Sequence, residues 1–241
     1  MAHFYQNIHI SRLQEVYKRL THEIVVETVP LSAVFSVTRE PVPYAQRETL
    51  KYKPIKLGDK WGEVWDCGWF RLTGEVPKSW KGSYITLNLD FTGEILVYDA
   101  SGCPLVGLTN GSVFDAAYSK DMMHLFQSCK GGEKIDFWAE TGANALFGAE
   151  MAADPDWVEK EADKFGKYPS SIKKMSVCLF DYDKWQLRLD LEVVLDLIEA
   201  LPAGTVRRMQ LLRIASHALD SLPVERGGAA AARAVMKQIY E

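Results

Sequence analysis

Three tryptophans recur at four-residue spacing, Trp61, Trp65 and Trp69, in a chain that holds seven. In an extended segment that spacing places all three rings on one face. A row of flat rings can stack on sugar faces, so Trp61, Trp65 and Trp69 are the candidate carbohydrate-binding residues. The same rings could form a sandwich core, since each tryptophan buries roughly 150–250 Å² when packed. Core packing is the favoured reading, and the flanking Gly62 and Gly68 fit tight backbone in either case.

No motif for nucleophilic or phosphate chemistry accompanies the rings. Neither Gly-x-x-x-x-Gly-Lys nor Gly-x-Ser-x-Gly occurs. His22-Glu23 opens like a metalloprotease His-Glu-x-x-His, but position 26 is Val26. The histidines are scattered, with no pair at metal-ligand spacing, so each reads as a surface or satisfied core residue. A glycosidase needs only two carboxylates flanking a sugar, yet the chain offers 32 acidic residues and no rule for choosing among them. Asp90, Glu94 and Asp99 fall near predicted strands and read as outward positions or turn formers. No catalytic residue and no metal ligand is assigned. Cys67, Cys103, Cys129 and Cys178 form no Cys-x-x-Cys pair and read as buried small apolar residues. Asn110-Gly111-Ser112 is formally a glycosylation sequon but reads as a turn.

Composition narrows the class further. With 241 residues, 47% hydrophobic and 25% charged, the chain has average globular usage. A net charge of −4 and a pI near 5.8 argue against a non-specific nucleic-acid partner. No apolar run approaches the ~20 residues that span a bilayer, so no membrane partner is expected. The opening MAHFYQNIHISRLQ lacks the continuous apolar stretch of a secretory signal, which makes the cytosol the expected location.

The elements that must position these residues read as follows. Residues 1–30 hold an N-terminal helix, capped by Ser11 with Gln14, its stripe being Leu13, Val16, Tyr17, Leu20 and Ile24. Residues 31–181 read as a β-sandwich of many short strands. Ile85, Leu87, Leu89 and Phe91 alternate with polar residues, as do Ile135, Phe137 and Ala139. EILVYDA (94–100) and MSVCLF (175–180) look buried on both faces. Turns are expected at 91–94, 101–102, 110–111 and 131–132, and an exposed excursion from Asp154 to Ser171. Residues 182–241 read as helical. Asp183 caps a helix with stripe Leu187, Leu191, Val194, Ile198 and Leu201, and Thr205 caps one with Val206, Met209, Leu212, Ala215 and Leu219. A third stretch, AAAARAVMKQIYE, ends without a cap, as a chain cut in mid-helix would.

Around the tryptophans the chain resembles a known family. Trp61-Gly62, Trp65 and Trp69-Phe70-Arg71 are followed by Val76-Pro77, Trp80-x-Gly82, Gly93-Glu94, Val97-Tyr98-Asp99, Gly102-x-Pro104 and Gly107. This order resembles the N-terminal domain of α-mannosidases of glycoside hydrolase family 38, the cytosolic and bacterial type. Glu140–Gly148 is similar to the segment closing that domain's sheet, and 181–222 to its helical connection into a catalytic domain. The resemblance spans about residues 58–222. It implies a mainly β fold, a jelly-roll or galactose-binding-like sandwich with an N-terminal helix and a C-terminal helical segment. It further implies that this chain is a non-catalytic module, inactive alone, of an enzyme hydrolysing α-mannosidic linkages in glycans. The family's Gly-His-x-His-x-Asp motif is not found in 1–241. The resemblance therefore places a divalent metal, zinc or calcium, in a catalytic domain beyond this chain, and no cofactor within it. It names that catalytic domain and a glycan substrate as partners. The chain would then leave apolar helix surface exposed, giving a possible homo-oligomer. The alternatives are a free-standing carbohydrate-binding sandwich or an interaction domain without ligand.

Overall fold

The computed structural model describes residues 2–63, 65–109, 119–143, 170–220, 222 and 228–240. Its chain divides into two units, 27–179 and 1–26 with 180–241. The expected turn and sequon at 110–112 lie outside the described residues, as does the excursion apart from its last two residues.

The unit 27–179 is built on antiparallel pairs. The strands are β1 (Val25–Pro30), β2 (Ser32–Thr38), β3 (Lys53–Ile55), β4 (Lys60–Gly62), β5 (Cys67–Glu75), β6 (Tyr84–Asp90), β7 (Ile95–Tyr98), β8 (Pro104–Leu108), β9 (Met122–Phe126), β10 (Lys134–Gly142), β11 (Ser170–Ser171) and β12 (Lys174–Phe180). One sheet runs β1-β12-β6-β9 and a second β3-β2-β5-β10-β7-β8, while β11 pairs with β4. The inner faces meet in one core. Ile85, Leu87 and Leu89 of β6 with Met175 and Val177 of β12 join Phe35, Phe70, Leu72, Val97, Ile135 and Ala139 of the larger sheet. This is the mainly β sandwich that the alternating pattern predicts.

Two local expectations are revised and one turn is explained. The segment after Glu23 is strand β1, because Val25, Val26, Thr28 and Val29 are β-branched and pair well on a pleated surface. The strand at 95–98 alternates, with Ile95 and Val97 in the core and Leu96 and Tyr98 on the outer face, so it is not buried on both sides alike. In the predicted turn at 131–132, Gly131 has φ +79°, and an added Cβ would lie 2.8 Å from the Lys78 carbonyl oxygen. Only glycine fits there.

The other unit is helical: α1 (Ala2–Glu23), α2 (Tyr182–Ala200), α3 (Val206–Asp220) and α4 (Gly228–Met236), followed by a 3-10 turn Lys237–Tyr240. The first helix shares a core with the C-terminal ones. Leu13 and Leu20 pack among Leu187, Leu191, Val194 and Ile198 of α2 and Leu212, Ala215 and Leu219 of α3. Ser11 lies inside α1, because the nine residues before it continue the helix. The cap of α2 is Asp181, whose carboxylate accepts the Lys184 amide at 3.0 Å, and Asp183 falls in the first turn. Arg208 closes the C-terminal end of α2 by donating to the Ile198 and Leu201 carbonyls.

The α3 stripe is half right. Leu212, Ala215 and Leu219 are buried, but Val206 and Met209 are exposed. A strict three-residue step on a helix of 3.6 residues per turn drifts ~60° each time. Three such steps carry Val206 to the opposite side from Ala215, and the core is completed instead by Leu211 and Ala218.

Candidate functional site

Chemistry-bearing side chains gather on the outer face of the six-stranded sheet. Along β5 the even positions Phe70 and Leu72 enter the core, so Trp69 and Arg71 point outward. Register places Trp69 opposite Glu140 on β10, and Trp138 opposite both Arg71 on β5 and Tyr98 on β7. The Trp69 ring lies 5.4 Å from Tyr98 and 6.5 Å edge-on from Trp138, between ring centres.

A strap covers this cluster. Residues 44–49 form a 3-10 turn in which Tyr44 meets Trp69 edge-on at 5.8 Å. The Trp69 indole donates to the Val42 carbonyl at 2.8 Å. The Arg47 guanidinium sits 3.6 Å over the Tyr44 ring centre and 4.5 Å over Trp138. Its Nη1 donates to the Tyr44 carbonyl at 2.9 Å and its Nη2 to Glu48 at 3.2 Å.

Beyond the strap the same face opens into a cleft of about 530 Å³, lined by Pro41, Cys67, Glu94, Leu96, Thr109 and Glu140 among others. The Tyr98 hydroxyl donates to Glu140 Oε2 at 2.9 Å. Burial, then the hydrogen bond to Glu140 and its negative charge, push the Tyr98 pKa up to about 12, so the phenol stays protonated and fixes that carboxylate. Burial also raises the Cys67 thiol, with the charges of Glu140, Glu40 and Asp66 adding to it. The cleft thus presents carboxylate oxygens that accept hydrogen bonds, beside a thiol held in its unreactive form.

That arrangement has a pH signature. Alkylation of Cys67 by iodoacetamide, followed by site-resolved mass spectrometry, is expected to reach half its limiting rate above pH 9.0, the ordinary thiol value. Glu140→Gln removes one charge that opposes the thiolate, so the profile should move toward lower pH. Burial, the largest cause, remains and keeps the shift partial. An unmoved profile would show that Glu140 does not act on Cys67.

The three tryptophans do not share a face. Trp61 is 5% exposed on β4, edge-on to Phe70 at 5.3 Å, and its indole donates to the Phe91 carbonyl at 2.8 Å. Trp69 is 2% exposed in the outer cluster. Trp65 is 42% exposed with φ +71°, in a turn where the Asp66 amide donates to the Glu63 carbonyl. The expectation of one extended stripe fails because the chain reverses between Trp61 and Trp69. The tight backbone expected at Gly68 is present: a Cβ there would come within 2.8 Å of both Trp61 and Phe70 rings.

Other readings divide. Asp90 accepts the Thr92 amide and Asp99 the Ser101 and Cys103 amides, so both are turn formers. Glu94, grouped with them, is exposed and lines the cleft, and Glu140, which opens the Glu140–Gly148 stretch of the resemblance, was not singled out as a site residue. Cys129 and Cys178 are buried as expected, whereas Cys103 is exposed and Cys67 half-buried. Among the described residues no three His, Cys, Asp or Glu side chains come together as a metal site, and no helix is long and apolar enough to cross a membrane.

Two facing antiparallel sheets with a strand order that crosses between them define a jelly-roll sandwich. The family described as "Alpha-mannosidase, jelly roll domain" matches residues 28–168, and the chain belongs to that family. It is similar to Alpha-mannosidase G of Dictyostelium discoideum, 24% identical over 190 residues, covering 77% of this chain and 16% of that protein. Similarity to human Alpha-mannosidase 2C1 is 26% over 191 residues, covering 76% and 17%. The chain therefore spans about a sixth of the length of these curated relatives. Among solved structures, a Kluyveromyces marxianus beta-glucosidase in complex with glucose aligns at TM-score 0.35 and 15% identity, over 67% of this chain and 18% of that one.

Proposed function

We propose that this chain is the non-catalytic jelly-roll module of an α-mannosidase, and that hydrolysis of α-mannosidic linkages in glycans is carried out elsewhere in a longer polypeptide. The observation that supports this most is the family match together with its proportion: the chain matches the jelly roll but only 16–17% of each relative. On this reading the glycan substrate and a divalent ion, zinc or calcium, belong to the remaining portion. A cytosolic location agrees with four cysteines that form no disulfide.

The test is hydrolysis of an aryl α-mannoside by the 241-residue chain and by the complete polypeptide. Turnover by the complete polypeptide alone is expected. Turnover by the 241-residue chain would overturn the reading.

A further inference from the structure

The helical unit is the smaller of the two, yet its helices hold six of the ten exposed large apolar side chains among the described residues. Two of them stand together. Val206 and Met209, 74% and 45% exposed, lie one helical turn apart at the start of α3. They form part of the wall of a groove of about 660 Å³ between α1 and α3. Polar contacts hold the walls in place: Gln6 Nε2 donates to Met209 Sδ at 3.0 Å, and His9 Nδ1 meets Ser216 Oγ at 2.8 Å. The bundle core uses the other side of α3, through Leu211, Ala215 and Ala218, so it does not require Val206 or Met209 to be apolar. Farther along the groove the lining turns charged and polar, with Arg213, His217 and Asp220. An apolar end with a polar rim is the pattern of a surface that receives another protein element.

We infer that this groove is where the catalytic remainder of the α-mannosidase polypeptide docks, with Val206 and Met209 as its apolar anchors; this rests on the function proposed above. Size selects the occupant. A free second copy must bury ~800 Å² on each partner to hold a stable dimer, whereas Val206 and Met209 are the two exposed large apolar side chains among the residues lining this groove. A domain tethered in the same chain works at an effective concentration of order millimolar, so a small preformed groove is enough to hold it. The relatives, about six times longer than the matched segment, contain such a domain's length of chain.

The experiment places a thiol at the anchor. Val206→Cys is labelled with a maleimide in the 241-residue chain and in the complete polypeptide, and Met209→Cys repeats the measurement one turn along. Leu105→Cys, at an exposed position of β8 in the sandwich, is the control. The expected result is labelling at least tenfold slower in the complete polypeptide at both anchors, with the control unchanged. Equal rates in the two chains, with aryl α-mannoside turnover intact in the complete one, would overturn the docking surface and leave the functional reading standing. Slow labelling in the 241-residue chain, with a dimer seen by light scattering, would assign the groove to a second copy and overturn the inference. Absence of turnover by the complete polypeptide would overturn the functional reading and the inference that rests on it.

Discussion

Phe70→Ala is expected to cost the sandwich about 3–5 kcal/mol, the range for emptying a buried phenylalanine site. Phe70 is fully buried in β5, between β2 and β10 of the larger sheet. Its ring is stacked on Phe35 at 5.5 Å, edge-on to Trp61 at 5.3 Å and tilted to Phe91 at 4.7 Å. Phe35 is its direct cross-strand partner, so both sheet pairing and core contact pass through the same pair. Gly68 carries no side chain that could fill the space, and its backbone is already covered by the Trp61 ring. The site therefore collapses poorly, which places the cost in the upper part of the range. Against a typical total of about 5–15 kcal/mol, that is a large fraction. Urea unfolding should show the midpoint falling with the slope unchanged. Phe70→Leu keeps most of the volume and should cost less, losing mainly the aromatic pairs at about 0.5–1.5 kcal/mol each. A loss below ~1 kcal/mol for the alanine variant would show that the ring is not central to the core.

How much of this was legible in the sequence depends on how many faces of an element are covered. Strand β6 has one buried face, and Ile85, Leu87 and Leu89 declare it by alternation. Strand β5 is covered on both faces, by the core and by the strap, so Trp69 and Phe70 are adjacent and both buried. No period-two signal survives there, and the four-residue recurrence of tryptophan suggested a single stripe that the turn at Glu63–Asp66 breaks. Trp61 and Trp69 are buried, but in different clusters. In the helices, the α2 stripe at steps of four, three and four is close to 3.6 and was readable, whereas the three-residue steps at Val206 and Met209 were not a face. The cleft escaped notice because Glu94, just before β7, and Glu140, on β10, are separated by some forty residues, and only the β10–β7 pairing brings them to one end of the sheet. The jelly-roll family was legible because its residues are recognised in order along the chain, without knowledge of pairing.

The strap over the outer face gives the second large effect, and no pattern in the sequence announces it. Arg47→Ala should destabilise the sandwich by about 2–4 kcal/mol, through three losses. Stacking of the guanidinium on Tyr44 and Trp138 contributes about 0.5–2 kcal/mol per ring in a desolvated setting. The charged hydrogen bond to the Tyr44 carbonyl adds about 1.5–3 kcal/mol. These are not additive, since one side chain makes all of them. Against them stands the cost of burying the group: Arg47 is only 7% exposed, and its Nε has no hydrogen-bond partner among the described residues. That orphaned donor is why the net figure stays well below the sum. Arg47→Lys should recover little, because an ammonium cannot lie flat between two rings or keep the forked donors. The loss should be accompanied by a fluorescence change from Trp69 and Trp138, which the strap shields from water. Both variants melting like the parent, with unchanged tryptophan emission, would mean the strap is held by Tyr44 and the Trp69 indole alone. The comparison separates an arginine that staples a loop from one that merely lies under it, since only the staple distinguishes the planar fork from a point charge of the same sign.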